Sequence, residues 1–228
     1  MPDPVHYASS PCLAGEIAPD YFDPLATDPE QARDVARWRQ AERIRLRAMR
    51  DALSVADRQG LSAALAGQLR QFLRERFEGA AGMVLSAYWP IKGEPDLRAL
   101  MAELHAEGVI IALPVVEEKA RPLVFRRWQP GQHMIRGIWG IPVPPPDAEP
   151  LTPDVALAPV VGWDSAGFRL GYGGGYFDRT LAKLAPRPFT IGMGLQAARL
   201  ATIFPQPHDI PLDVILTEAG VQESHRNP

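Results

Sequence analysis

The sequence predicts an α/β fold, with a largely parallel, mixed β-sheet flanked by helices on both faces in a Rossmann-like arrangement of three layers. Short apolar segments alternate with helical ones between residues 83 and 216, and this alternation is typical of a parallel sheet covered on both faces. Hydrophobic residues make up 46% of the 228-residue chain, so it can bury a substantial core.

Two helices are predicted before the first strand. Residues 30–52 carry apolar side chains at helical spacing among many arginines. Ser54, with Asp57 three residues later, predicts an N-cap, and a second helix follows to about Phe77. The apolar stripe of this second helix consists of Leu61, Leu65, Leu69, Phe72 and Leu73.

The remaining segments alternate between strands and helices. The predicted strands are residues 83–89, 109–113 (ending at Pro114), 123–128, 155–161, 189–193 and 214–216. Helices are predicted over 96–107 and from a glycine-rich loop to about residue 184. The proline-rich segment 141–154 is predicted to be an ordered connection that crosses the surface. We expect an extended N-terminal arm over 1–30, a single α/β domain over 31–220 and a tail over 221–228.

Charge and composition exclude several classes of protein. A formal net charge of −3 argues against a general attraction to nucleic acids or membranes. The single cysteine, Cys12, allows no internal disulfide and fits a reducing compartment. Because no apolar run approaches the roughly 20 residues of a membrane helix and the first residues do not resemble a signal peptide, we expect a cytoplasmic protein. We further expect a monomer that acts on small molecules.

The loop RLGYGGGYFDRTL, residues 169–181, carries the chemical signal. It is not a dinucleotide fingerprint, because Tyr176 stands where the third glycine is needed, and no Lys-Ser or Lys-Thr pair completes a Walker A loop. The loop could still bind phosphate. Its glycines let main-chain N–H groups approach an anion, and the N-terminus of a helix starting near Tyr176 favours negative charge. The guanidinium of Arg169 suits phosphate oxygens. Asp178 would repel phosphate unless Mg²⁺ lay between them. A tight turn with Asp178 as an early-helix charge is the alternative.

Several segments resemble the 5-formyltetrahydrofolate cyclo-ligases, also called methenyltetrahydrofolate synthetases. The segment GFRLGYGGGYFDRTL is similar to that family's loop, which reads roughly R-L-G-x-G-x-G-[YF]-[YF]-D. The resemblance covers roughly residues 35–218. Its other segments are RQAERIRLRAMRDALS, SAYWPIKGEPDLRALM, VALAPVVGWDSAGFRLG and FPQPHDIPLDVILTE. It implies a fold of the NagB/RpiA/CoA-transferase-like type.

The resemblance also implies a reaction. The family uses ATP and Mg²⁺ to convert 5-formyltetrahydrofolate to 5,10-methenyltetrahydrofolate. A formamide oxygen is a poor leaving group, so transfer of the γ-phosphoryl group to it would give an iminium phosphate that N10 attacks. Such chemistry needs positioning and charge neutralisation rather than a nucleophilic side chain.

The family resemblance assigns roles to particular residues. Arg169 and Asp178 are the implied catalytic pair, and Asp178 and Asp209 the implied magnesium ligands, with Asp213 as a competing second acid. The implied ATP-binding residues are Arg39, Arg43, Arg169, Gly171, Tyr172, Gly173, Gly174, Gly175, Tyr176 and Phe177. The implied substrate-binding residues are Glu94, Trp89, Tyr176 and Phe177.

This sequence also departs from the family pattern. Arg39 stands where lysine is common, Tyr172 and Gly174 stand where some members have an extra basic residue, and Phe177 lacks a tyrosine hydroxyl.

The sequence leaves two other functions open. One is a family member acting on another, thiamine-linked substrate. The other is a nucleic-acid-binding module that uses the helices of residues 33–76, where eleven arginines face five acidic residues.

Overall fold

The computed structural model describes residues 29–224. The predicted arm, including Cys12, lies outside this range except for its last two residues, which begin the first helix. The helices are α1 (Pro29–Asp51), α2 (Val55–Phe77), α3 (Arg98–Ala106) and α4 (Tyr176–Lys183). The strands are β1 (Val84–Ser86), β2 (Ile110–Val115), β3 (Val124–Arg127), β4 (Ile135–Arg136), β5 (Pro142–Val143), β6 (Pro150–Leu151), β7 (Val155–Pro159), β8 (Gly162–Trp163), β9 (Arg169–Leu170), β10 (Phe189–Met193), β11 (Val214–Thr217) and β12 (Gly220–Ser224).

An eight-stranded sheet organises the fold, in the order β12-β11-β10-β7-β1-β2-β3-β6. The strands from β11 to β2 pair in parallel, whereas β12, β3 and β6 pair antiparallel at the two edges. The predicted largely parallel, mixed sheet is therefore confirmed.

Helices cover both faces of this sheet. Alternate residues of β11 show the division, because Val214 and Leu216 join one buried cluster while Ile215 joins the other. The first cluster lies under α2 and α3, and the second under α1 and α4. This arrangement gives the three predicted layers.

Local signals placed α2 correctly. Ser54 has the extended conformation of an N-cap, and its Oγ accepts a hydrogen bond from the Asp57 N–H at 3.1 Å. The predicted stripe faces the core, with Leu65, Leu69 and Leu73 fully buried.

Several strands differ from the sequence-based expectation, and β1 ends at Ser86 rather than at residue 89. Pro114 lies inside β2 rather than after it, opposite Phe125 of β3. Since β1 pairs with β2 only as far as Ala112, one edge of β2 is open beyond that point, and proline's missing N–H is tolerated at such an edge. At the other end, β12 carries the sheet to Ser224, so residues 221–224 belong to an edge strand rather than to the predicted tail.

The proline-rich segment 141–154 is ordered, as predicted, and contributes β5 and β6. The structure packs α1 closely against β8, where a Cβ on Gly162 would lie 2.7 Å from Leu46 Cδ1. A side chain at this position would have to displace the end of Leu46, so glycine allows the close packing of the helix that carries Arg39 and Arg43. Within residues 29–224, no helix is long and apolar enough to cross a membrane.

Candidate active site

The predicted site residues meet at one edge of the sheet. In parallel strands the carboxyl ends share an edge, and loops at this edge commonly form ligand sites. The loop carrying Glu94 follows β1, and the glycine loop, residues 171–175, follows β7 through the hairpin of β8 and β9.

The glycine loop presents main-chain N–H groups. Gly173 (φ 100°) and Gly175 (φ 60°) adopt left-handed conformations, and Gly175 is the N-cap residue of α4. A Cβ at Gly174 would lie 2.8 Å from the Tyr176 ring, so this glycine is required for packing. The N–H groups of residues 171–175 donate to no acceptor in the described part of the chain. Together with the first turn of α4, they form an anion-binding arrangement.

Two arginines hold this loop by its carbonyl groups. Arg43 Nε donates to the Gly171 carbonyl at 2.7 Å, and Arg179 Nη2 donates to the Gly174 carbonyl. The guanidinium of Arg43 also lies beside Gly173. These bonds tie the glycine loop to α1 and α4.

Arg169 and Asp178 form a buried ion pair. Arg169 Nη2 donates to Asp178 Oδ2 at 2.9 Å, and the side chains are only 7% and 8% exposed. The guanidinium carbon of Arg169 lies 4.7 Å from the Phe177 ring centroid, while Asp178 Oδ1 accepts from the Ile210 N–H at 3.3 Å. The predicted phosphate-binding arginine and the predicted metal ligand therefore neutralise each other in this structure.

A second ion pair lies beside the first. Arg39 contacts the Asp209 carboxylate and also donates to the carbonyls of Ile203 and Phe204, each at 2.9 Å. Arg39 and Arg43 share one helix face, as their spacing predicted. Asp209 adjoins Ile210, so this pair lies close to Asp178.

Asp213 occupies the opposite edge of the sheet. Its Oδ2 accepts hydrogen bonds from the N–H and Oγ1 of Thr190, at 2.8 and 2.7 Å, where β10 and β11 begin. It joins two strands and lies away from the glycine loop, so the structure separates it from the pair Asp178 and Asp209.

Glu94 is buried beside the glycine loop. Its Oε2 accepts a hydrogen bond from the Ile91 N–H at 2.9 Å. Burial raises the pKa of Glu94, and this rise is opposed by the hydrogen bond from Ile91 and by the neighbouring Tyr172, Arg50 and Lys92. Burial also raises the pKa of Tyr172, whose Oη accepts from Arg50 Nη2 at 2.7 Å.

The two residues of the predicted aromatic pair, Tyr176 and Phe177, have different surroundings. Tyr176 meets Trp139 edge-on at 5.5 Å between ring centroids, whereas Phe177 packs on the core beneath Arg169. Trp89 packs against the first core cluster, with the guanidinium carbon of Arg98 at 5.3 Å from its ring centroid.

A cavity of about 650 Å³ adjoins Trp139. It lies at the carboxyl end of β2, because Val115 is among its lining residues, and Ile138, next to Trp139, is another. Its walls are mainly apolar, with Glu117, Arg126 and Arg136 as the charged lining residues. Its size is within the range of small-molecule sites.

The carboxylates do not form a metal cage. No group of three or more His, Cys, Asp or Glu residues within 29–224 could hold an ion. Mg²⁺ is usually bound by one or two carboxylates plus phosphate oxygens, and Asp178 and Asp209 fit that smaller requirement.

The sequence interpretation missed several site residues: Arg47, Arg50, Lys92, Trp139 and Arg179. Arg47 and Arg50 continue the helix face of Arg43 at i+4 and i+7, a spacing that could have indicated them. Trp139, 47% exposed with a left-handed φ of 60°, follows no local pattern that marks a site.

A mixed, mostly parallel sheet with a glycine loop and arginines at the carboxyl ends of its strands defines an α/β protein whose ligand site is expected at that edge. The model of the 5-formyltetrahydrofolate cyclo-ligase family matches residues 35–218. The chain belongs to this family, and the prediction of a cyclo-ligase enzyme is confirmed.

Named relatives and solved structures agree with this assignment. The chain is 32% identical over 145 residues to a 5-formyltetrahydrofolate cyclo-ligase of Mycolicibacterium smegmatis, covering 60% of this chain and 74% of the relative. It is 28% identical to one of Escherichia coli, covering 61% and 80%. The structure of Aquifex aeolicus 5,10-methenyltetrahydrofolate synthetase matches with a TM-score of 0.69 and 28% identity, over 83% of this chain and 94% of the other.

Proposed function

We propose that this protein converts 5-formyltetrahydrofolate to 5,10-methenyltetrahydrofolate at the expense of ATP and with Mg²⁺. The observation that carries the proposal is the glycine loop. Its main-chain N–H groups and the arginines around it provide a phosphate site, and Glu94 and a ligand-sized cavity lie at the same edge of the sheet.

The phosphate end of the site consists of residues 171–175, Arg43 and Arg169. Arg43 and Arg179 fix the loop carbonyls, so the N–H groups are oriented before a ligand arrives. Preorganised donors of this kind stabilise charge that develops on a transferring phosphoryl group. Arg169 would exchange part of its bonding to Asp178 for phosphate oxygens.

The proposed folate end combines Glu94, in the loop after β1, with Tyr176, Trp139 and the cavity at the carboxyl end of β2. A carboxylate has about four lone-pair positions, and Glu94 uses one of them for the Ile91 N–H. The remaining positions suit the N–H edge of a pterin ring. Tyr176 and Trp139 provide aromatic surface next to the apolar cavity wall.

The proposed reaction begins with transfer of the γ-phosphoryl group of ATP to the formyl oxygen. The formyl carbon becomes an iminium centre, and N10 attacks it and gives up its proton to solvent. The C–O bond then breaks to release phosphate. No side chain is required as a nucleophile. The arginines and loop amides neutralise the charge on the phosphoryl oxygens, while Glu94 and the aromatic residues hold the folate in place.

Asp178 and Asp209 are the residues that would hold Mg²⁺ against the nucleotide phosphates. When bound, the ion would neutralise phosphate charge. Asp178 also orients Arg169, and Asp209 holds Arg39 against the segment of residues 203–209.

The proposal includes a cytoplasmic monomer without nucleic-acid or membrane partners. Several arginines that could form a nucleic-acid surface are already paired. Arg45 contacts Glu42, and Arg70 contacts Glu107 at 2.6 Å. Arg39, Arg43 and Arg50 turn into the site instead of outward. These pairings leave little support for an RNA-binding function.

The test mixes purified protein with 5-formyltetrahydrofolate and Mg-ATP and follows the absorbance of methenyltetrahydrofolate. We expect protein-dependent product with one ADP released per product, and none when ATP is omitted. The control is the same mixture with protein inactivated by heat. If product forms no faster than in that control, the proposed function is wrong.

A further inference from the structure

Phe204 is an exposed aromatic residue in an unusual backbone conformation. Its side chain is 45% exposed, and its φ of 52° lies in the left-handed region, which a bulky residue rarely adopts. Such a conformation costs free energy and persists only where the surrounding structure determines it. Strained residues of this kind cluster at ligand sites, so Phe204 is a candidate contact for a ligand.

Hydrogen bonds to both polar groups of the Phe204 backbone hold this conformation. The Phe204 N–H donates to Thr202 Oγ1 at 2.9 Å. The Phe204 carbonyl accepts from Arg39 Nη2 and from Gln206 Nε2, each at 2.9 Å. Because these bonds fix the backbone, the phenyl ring stays at the surface.

Trp38 of α1 packs against the ring of Phe204. The two rings meet edge-on, with their centroids 4.9 Å apart and an angle of 89° between their planes. This geometry is favourable for two aromatic rings. An edge-on contact covers at most one face of either ring, so the exposed part of Phe204 offers surface to a planar group.

A continuous series of contacts joins Phe204 to the proposed nucleotide site. Arg39, which donates to the Phe204 carbonyl, also contacts the Asp209 carboxylate. The next residue, Ile210, donates its N–H to Asp178 Oδ1 at 3.3 Å. Since the ribose and phosphates separate the base of ATP from its γ-phosphate, the base needs a surface outside the glycine loop. The ring of Phe204 provides such a surface.

We propose that the exposed ring of Phe204, supported by Trp38, is the surface on which the purine base of ATP stacks. This inference rests on the proposed function, from which it takes ATP as the ligand. Stacking uses the face of a base rather than its polar edge, so Phe204 should contribute equally to the binding of different purines.

The test is Phe204→Gly, with binding measured by isothermal titration calorimetry in the presence of Mg²⁺ and without folate. Glycine adopts a positive φ without strain, so the variant loses the ring while its backbone can keep the same conformation. We expect the Kd for ATP to rise about tenfold, within the range for one stacked base. The Kd for inorganic tripolyphosphate, which has no base, should stay within about twofold.

Two controls separate stacking from other effects. ITP carries an oxygen where ATP has its 6-amino group, and Phe204→Gly should weaken its binding by the same factor as that of ATP. Ile44→Ala removes another apolar side chain of α1, one that is 61% exposed, and should leave the Kd values for ATP and tripolyphosphate unchanged.

A direct check uses NMR of the wild-type complex with ATP. We expect nuclear Overhauser effects between the ring protons of Phe204 and the H2 or H8 protons of adenine. Unchanged ATP affinity in Phe204→Gly would overturn the proposal, and so would an equal loss of affinity for ATP and tripolyphosphate.

The binding measurements separate this inference from the proposed function, because they need neither folate nor turnover. Wild-type protein that binds ATP but forms no methenyltetrahydrofolate would contradict the proposed function alone. Wild-type protein that binds no ATP would contradict both.

Discussion

The buried pair of Arg169 and Asp178 makes Asp178→Asn a sharp test of the site's electrostatics. The asparagine has the same shape and can still accept a hydrogen bond, but it removes the negative charge. Within residues 29–224, Asp178 is the acidic residue paired with Arg169. The substitution therefore leaves a buried guanidinium without its counter-charge.

The expected magnitude follows from this burial. Removing one partner of a buried ion pair costs about 3–5 kcal/mol, and the retained acceptor favours the lower end. For a chain of this size, each kcal/mol corresponds to roughly 2–4 °C in Tm. We expect Asp178→Asn to lower Tm by about 6–12 °C in thermal unfolding followed by circular dichroism.

Asp209→Asn is the matched control. Arg39 keeps the carbonyls of Ile203 and Phe204 as acceptors, each at 2.9 Å, so its loss of charge is better compensated. We expect about 1–2 kcal/mol for this variant, near the value of one charged hydrogen bond. Equal destabilisation by both asparagine variants would refute the reasoning.

Metal-free ATP provides a second readout of the same variant. If Arg169 binds phosphate, ATP supplies the counter-charge that Asp178→Asn removed. The ATP-induced rise in Tm, measured with a chelator present, should then be larger for Asp178→Asn than for wild type. A smaller rise would show that Arg169 does not meet the nucleotide.

Three other predictions use different parts of the structure. Arg43→Ala should raise the KM for ATP about tenfold in steady-state assays, because the Gly171 carbonyl loses its hydrogen-bond donor. The control Arg45→Ala removes an exposed pair with Glu42 and should leave the KM for ATP unchanged. Glu94→Gln should change the pH dependence of stability. The pKa of Glu94 is raised in the folded state, so the wild type should lose stability relative to the variant as the pH rises from about 4.3 through that pKa. Urea unfolding at a series of pH values measures this. If the difference in unfolding free energy between the two proteins stayed constant with pH, the prediction would be contradicted. Leu69→Ala should destabilise the fold by about 2–5 kcal/mol with unchanged KM values, while Val55→Ala, at an exposed position, should cost less than about 1 kcal/mol.

Much of the fold follows from local sequence patterns. The boundaries of α2 depend on Ser54, Asp57 and an apolar stripe, all readable within one segment. The parallel order of the central strands follows from the alternation of strands and helices. By contrast, β12 was missed, since a short edge strand exists only through its pairing with β11.

The candidate site, like the fold, has features that the sequence predicts and others that appear only in the structure. The sequence by itself determined that a glycine loop precedes a helix and that Arg169, Asp178, Arg39 and Asp209 are the charged candidates. Only the tertiary structure decided that they pair as Arg169 with Asp178 and Arg39 with Asp209, and that the Tyr172 hydroxyl meets Arg50. The physical reason is that backbone conformation depends mostly on neighbouring residues, whereas the partner of a charged side chain depends on distances between segments far apart in the chain.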